Sequence, residues 1–317
     1  MLIVFFHYRQ LYLGLFFFNT DSTMTFVIFV GGLLPYNSGK TTFVKDLLTY
    51  LTQFQSNVIP FKPLSGNNLF YNYSFLTECI NSFGHVCSID ITELMKNLSI
   101  NTFSPIQLNP VHRVNTQAVA HKFAEEQSLS SFFTSYSESS SLLQRFTFVE
   151  ETDASLRSVY LINSLSNNNR KFLHDKSLIE TIRSNAETIK EYSSESEYYN
   201  LNAQYYADSI DSSFKFLEKQ ASIIVVEGFN NSAHPAWCIR SADIIFLIGP
   251  GSLFVYQPDV YFRTIDGYRT INRSTPTITE EVVKMIKPTD SFFLHPEHSQ
   301  RESGLHQFLD KHIAVNL

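Results

Sequence analysis

The chain has 317 residues, 44% hydrophobic and 17% charged, enough to enclose a sizeable α/β core. Its net charge of -6 argues against holding nucleic acid on a basic surface. The three cysteines, Cys79, Cys87 and Cys238, show no CxxC spacing. Neither a disulfide framework nor a thiolate metal site is expected, and a reducing, cytoplasmic setting fits.

Residues 1–23 carry two apolar runs, Leu2–Phe6 and Leu11–Phe18, split by His7, Arg9 and Gln10. Neither run is long enough to span a bilayer, so no transmembrane segment is expected. They read as an N-terminal extension, with an interfacial anchor as the competing reading. Residues 24–317 read as a single domain beginning at Met24, with an insertion around 128–200.

Phe26–Val30 is an apolar strand pattern. It leads through Gly31-Gly32-Leu33-Leu34-Pro35-Tyr36-Asn37 into Ser38-Gly39-Lys40-Thr41-Thr42. Phe43, Val44, Leu47, Leu48, Leu51 and Phe54 then recur at helical spacing. Strand, turn-rich loop and helix in that order describe a phosphate-binding loop. Its backbone N–H groups would cradle phosphates at the positive helix end. Lys40 would supply a charge to them and the Thr41 hydroxyl a ligand to Mg²⁺. Tyr36, Asn37, Ser38, Gly39 and Thr42 complete the binding segment. The glycine usual five positions before Gly39 is replaced by Leu34.

Val58–Phe61 reads as a second strand ending in a polar loop, Lys62-Pro63-Leu64-Ser65-Gly66, where ligands gather in open α/β sheets. Lys62 there would reach phosphate or an anionic substrate. Residues 67–102 read as short helices that include Asp90, a candidate metal acid or a helix cap. Thr102–Pro110 reads as a loop, and His112 and Arg113 as loop residues that could meet substrate anions, with a structural or surface role as the competing reading. A helix is expected up to about residue 127. Ser128–Ser141 is Ser-rich and open to either a surface helix or an insertion.

Strands are expected at Arg145–Val149 and Val159–Ile162, a loop at Leu165–Arg170, and helices at Lys176–Lys190 and Leu201–Lys219. Ile223–Val226 and Asp243–Ile248 have the β-branched density of doubly buried strands. Glu227 closes the first and is the expected second Mg²⁺ ligand. His234 follows its turn. Short helices are expected at 278–287 and 303–315.

The loop ending in Thr42, the segment Phe61–Gly66 and Val225-Val226-Glu227-Gly228 together resemble the dethiobiotin-synthetase-like branch of P-loop proteins. The wording from Leu33 to Thr41 is similar to a group of archaeal predicted P-loop ATPase/GTPase proteins. The resemblance implies a P-loop NTPase fold, a mostly parallel central sheet flanked by helices in three layers, binding ATP or GTP with Mg²⁺. It implies phosphate contact by Lys40, phosphate or substrate contact by Lys62, and Mg²⁺ contact by Thr41 and Glu227, with Asp90 as a further metal acid. It also implies a small-molecule acceptor and a homodimer. The expected activity is a kinase or ATP-dependent ligase. A GTPase switch is the alternative, though Gly249-Pro250-Gly251 stands where an Asn-Lys-x-Asp motif would read guanine. A polynucleotide kinase comes third.

Overall fold

Strand β1 (Phe26–Gly32) is buried along its whole length, which its unbroken apolar run requires. The computed structural model describes residues 24–98, 100–137, 140–164, 172–173, 175–272 and 277–313. The proposed extension at 1–23 and the loop at 165–170 lie outside them.

The fold is α/β, with two mixed sheets rather than the single central sheet expected. On one side of β1 lies β8 (Ile223–Glu227), then β2 (Val58–Phe61). On the other lie β9 (Ile244–Gly249), β10 (Ser252–Tyr256) and β11 (Asp290–Phe293). The β2–β8–β1–β9 pairings are parallel, and β10 and β11 add antiparallel edges. Helix α1 (Lys40–Leu51) covers this sheet with Phe43, Val44, Leu47, Leu48, Tyr50 and Leu51 buried. Each such side chain contributes about 1.5–3 kcal/mol. Phe54, expected on that face, falls beyond the last helical turn and is 57% exposed.

The second sheet runs β3 (Leu64–Asn68), β4 (Val111–Thr116), β5 (Ser140–Val149), β6 (Leu156–Asn163) and β7 (Thr188–Tyr192). Several sequence expectations change here. The polar segment after Lys62 is a strand, because its backbone pairs in parallel with β4. His112 and Arg113 lie on β4 rather than in a loop. The helix expected over 176–190 stops at Asn185, and Thr188–Tyr192 becomes an edge strand paired with β6. Residues 128–200 supply a helix over 129–137 and three of the five strands.

Only Lys62 and Pro63 separate β2 of the first sheet from β3 of the second. Helix α8 (Glu195–Glu218) packs along β5, and its Phe214 ring meets Phe61 of β2 at 5.6 Å. One hydrophobic cluster therefore runs from β1, β2 and β8 to Phe146, Phe148 and Leu161 of the second sheet. No helix among the described residues is long and apolar enough to cross a membrane.

Candidate active site

Parallel register builds the centre of the site. Val30 pairs with Glu227, and Phe61 pairs with Val226. Lys62 therefore emerges beside Glu227 at the carboxyl ends of adjacent strands, the end at which ligands sit in such sheets. Its ammonium donates to Glu227 Oε1 at 2.7 Å and also to Asp90 Oδ2. Asp90 arrives from the first turn of a helix over Ile89–Leu98. The Thr41 hydroxyl donates to the same Glu227 Oε1 at 2.8 Å. Glu227 Oε2 is buried with no hydrogen-bond partner among the described residues.

The loop from Leu33 to Gly39 turns tightly, with Asn37 at φ 55° and Gly39 at φ 87°. Consecutive turns of this kind aim backbone N–H groups into a concavity suited to an anion. Gly39 caps α1 without a side-chain hydrogen bond, and no acidic residue occupies the first turn. The helix end thus keeps its positive character. Lys40 folds back over the loop and donates to Ser38 Oγ at 3.0 Å and to the Asn230 carbonyl at 2.9 Å. It crosses Gly32 closely. A Cβ there would lie 2.6 Å from Lys40 Nζ and 2.9 Å from the Asn230 oxygen.

Burial pulls the Lys40 pKa below its ordinary value, with Glu227 opposing and Lys62 adding to the fall. Lys62 is more deeply buried. Burial alone would favour its neutral form, but attraction to Glu227 and Asp90 outweighs it and holds the pKa above the ordinary value. Lys62 is therefore a fixed cation between two acids.

A hydrogen-bonded brace lies behind Lys62. Asn109 Nδ2 donates to the carbonyls of Lys62, at 2.7 Å, and Val111, at 3.2 Å. Its Oδ1 accepts from Ser65 Oγ at 2.8 Å. The Ser65 proton being used there, the 2.6 Å contact to His112 Nδ1 requires that ring nitrogen to donate. His112 Nε2 is left buried and unpartnered. Burial, with Arg145 and Lys62 nearby, drives the His112 pKa well below its usual value. The pair is thus wired against Ser–His nucleophilic chemistry, since the imidazole holds no lone pair towards Ser65. Arg145, fully buried, donates to the carbonyl of Asn109 at 2.8 Å and so fixes the brace from below.

One cleft of about 460 Å³ joins the loop to the strand ends. It brings together Tyr36, Asn37, Ser38, Gly39, Lys40, Thr41, Thr42, Lys62, Asp90 and Glu227. Tyr36 stands outermost, 72% exposed. His234 stays apart, packed among Trp237, Phe262 and Arg269. Sequence reasoning missed Asn109 altogether and gave Ser65 and the Asn230 carbonyl no role. Nothing in residue spacing distinguishes them, because each acts through tertiary contact. A smaller cleft of about 240 Å³ lies on the other flank of the loop, between Thr42, Asp46, Gly249–Gly251 and Leu294–Pro296.

The donor set fits Mg²⁺ held partly by a ligand's own phosphates. One carboxylate with a free oxygen, one hydroxyl and a second acid nearby are the protein groups such an ion uses. Among the described residues no cluster of three His, Cys, Asp or Glu side chains forms an all-protein cage. Comparison with known protein families, curated proteins and solved structures finds no match.

Proposed function

We propose that the protein is a P-loop enzyme that binds a nucleoside triphosphate with Mg²⁺ and transfers its γ-phosphoryl group to a small molecule, as a kinase or ATP-dependent ligase. The observation that carries this reading is the meeting of Thr41 and Glu227 at 2.8 Å, directly beside Lys40 and with Glu227 Oε2 unpaired. A hydroxyl at the phosphate-loop helix and a buried strand-end acid come together in this way to share a phosphate-bound cation.

The loop N–H groups and Lys40 bind and orient the phosphates. Glu227 and Thr41 hold Mg²⁺, which when bound neutralises charge on the phosphate oxygens. Lys62 faces the transferring group from the second strand, and Asp90 anchors it. The smaller cleft beside Gly249–Gly251 receives the nucleoside. ATP is favoured over GTP because Gly249-Pro250-Gly251 offers no side chain to read guanine. Cytoplasmic residence, a homodimer and kinship with archaeal P-loop proteins belong to the same reading.

Binding of a fluorescent ATP analogue with Mg²⁺ tests it directly. Lys40→Ala is expected to weaken binding by roughly 100-fold, about 2.7 kcal/mol, with its circular dichroism unchanged. Equal affinity in Lys40→Ala, or no binding of ATP or GTP by the wild type, overturns the proposal. Glu227→Gln is expected to reduce Mg²⁺-dependent phosphoryl transfer more than nucleotide affinity.

A further inference from the structure

Arg113 is a half-buried cation with no acidic partner among the described residues. Among the described residues no carboxylate forms an ion pair with it, whereas Arg183 pairs with Glu191 and Arg240 with Asp266. Its guanidinium is held instead by neutral groups. Nε donates to Gln144 Oε1 at 3.1 Å, and one terminal nitrogen donates to the Tyr198 hydroxyl. Tyr198 donates in turn to Gln144 Oε1 at 2.8 Å, and Gln144 Nε2 to Asn202 Oδ1 at 2.8 Å. The guanidinium carbon lies 5.5 Å from the Tyr198 ring centroid. Three side chains thus orient one charge without neutralising it, and Nη1 donates to no described protein group.

The position of that charge gives it meaning. Arg113 pairs in register with Gly66 on the neighbouring strand. Gly66 is exposed and lines the cleft that holds Lys40, Lys62 and Glu227. A Cβ on Gly66 would stand 3.9 Å from that of Arg113. With only hydrogen there, Gly66 itself puts no side chain between the base of Arg113 and the cleft. A partly desolvated guanidinium with an unused N–H edge is a receptor for an oxyanion, which it meets with short, charge-assisted hydrogen bonds.

We propose that Arg113 binds an anionic group of the acceptor, a carboxylate or a phosphate, so that the phosphorylated or ligated molecule is a small organic anion lying across Gly66 towards Lys62. Its role as acceptor site rests on the nucleotide reading above, but the anion binding itself does not. Arg113 is a specificity residue, and Gln144 and Tyr198 are positioning residues that act through it.

Calorimetric titration of the full chain decides the matter. The chain is loaded with Mg²⁺ and a non-hydrolysable ATP analogue to fill the phosphate loop, and titrated with succinate or with inorganic phosphate at fixed ionic strength. At least one probe is expected to bind saturably. Its affinity should fall at least tenfold in Arg113→Gln and less in Arg113→Lys, with analogue affinity constant within twofold. Succinate binding alone marks a carboxylate acceptor and phosphate binding alone a phosphate ester. If neither probe binds, or if binding survives Arg113→Gln, the proposal falls. Should Arg113→Gln fail to fold, Tyr198→Phe and Arg113→Lys must each weaken the probe threefold, and unchanged binding in both overturns it. If the analogue itself does not bind, the nucleotide reading fails. The same titration of unloaded Lys40→Ala protein then decides Arg113 independently.

Discussion

The Lys62 ammonium and the Glu227 carboxylate meet at 2.7 Å because two parallel strands end at the same level. Both side chains are almost wholly buried. Removing Lys62 leaves Glu227 as an uncompensated buried charge, which costs about 3–5 kcal/mol, whereas removing Glu227 leaves Lys62 still paired with Asp90. Lys62→Met is expected to show a loss of that order in urea denaturation, and Glu227→Gln a smaller one. The double variant should recover most of it. Additive losses would show that the two charges do not stabilise each other.

Gly32 is expected to resist even the smallest side chain. An alanine Cβ would press on the Lys40 ammonium, on Ser38 Oγ and on the Asn230 carbonyl. Such crowding costs about 1–3 kcal/mol. Gly32→Ala should therefore lower thermal stability and also displace Lys40, so nucleotide affinity falls with it. An alanine variant with wild-type affinity would mean that Lys40 does not need its present path.

His112 sets a pH dependence of stability. Its pKa is lowered in the folded protein but lies near 6.5 in the unfolded chain. Below about pH 6.5 the unfolded state therefore binds the extra proton, and stability falls as pH falls, by up to about 1.4 kcal/mol per pH unit from this residue. His85 and His234, both pushed down to about 4 chiefly by burial, act in the same direction. His112→Asn keeps a donor for Ser65 and removes the titration. Urea midpoints measured from pH 7.5 to 5.5 should fall less steeply in that variant. Parallel curves would contradict the neutral, buried imidazole.

Two residues of the first helical pattern separate core from surface. Leu47 is fully buried under the first sheet, and Leu47→Ala is expected to cost about 2–5 kcal/mol. Phe54 lies outside the helix with its ring edge-on to Tyr50 at 5.2 Å, and Phe54→Ala should cost about 0.5–1.5 kcal/mol, less than Leu47→Ala. Comparable losses from both would place Phe54 in the core and contradict the early helix end at Leu51.

The parallel half of the first sheet is legible because its strands advertise themselves, whereas its antiparallel edges, Ser252–Tyr256 and Asp290–Phe293, are not. Ile223–Val226 and Ile244–Ile248 are runs that only double burial explains, and Phe43 to Leu51 repeats at the helical period. The second sheet was partly hidden. Leu64-Ser65-Gly66-Asn67-Asn68 contains residues that strands generally avoid, and it pairs only because β4 lies beside it and Asn109 pins its neighbours. Thr188–Tyr192 is short and follows a helix without a strong break. Within the site, Lys40, Thr41, Lys62 and Glu227 stood out by position in the sequence. Asn109 and Ser65 did not, since their importance comes from where the chain folds back on itself.

The Lys62-Pro63 dipeptide is the seam where one sheet becomes the other. Proline fixes its own backbone φ and restricts the residue before it, so the seam has few torsions free to absorb a displacement. Asn109 clips the Lys62 carbonyl to the second sheet, while the Lys62 ammonium is gripped by Glu227 of the first. Lys62 thus stitches the two sheets together at the floor of the cleft, its side chain tied to one and its carbonyl to the other.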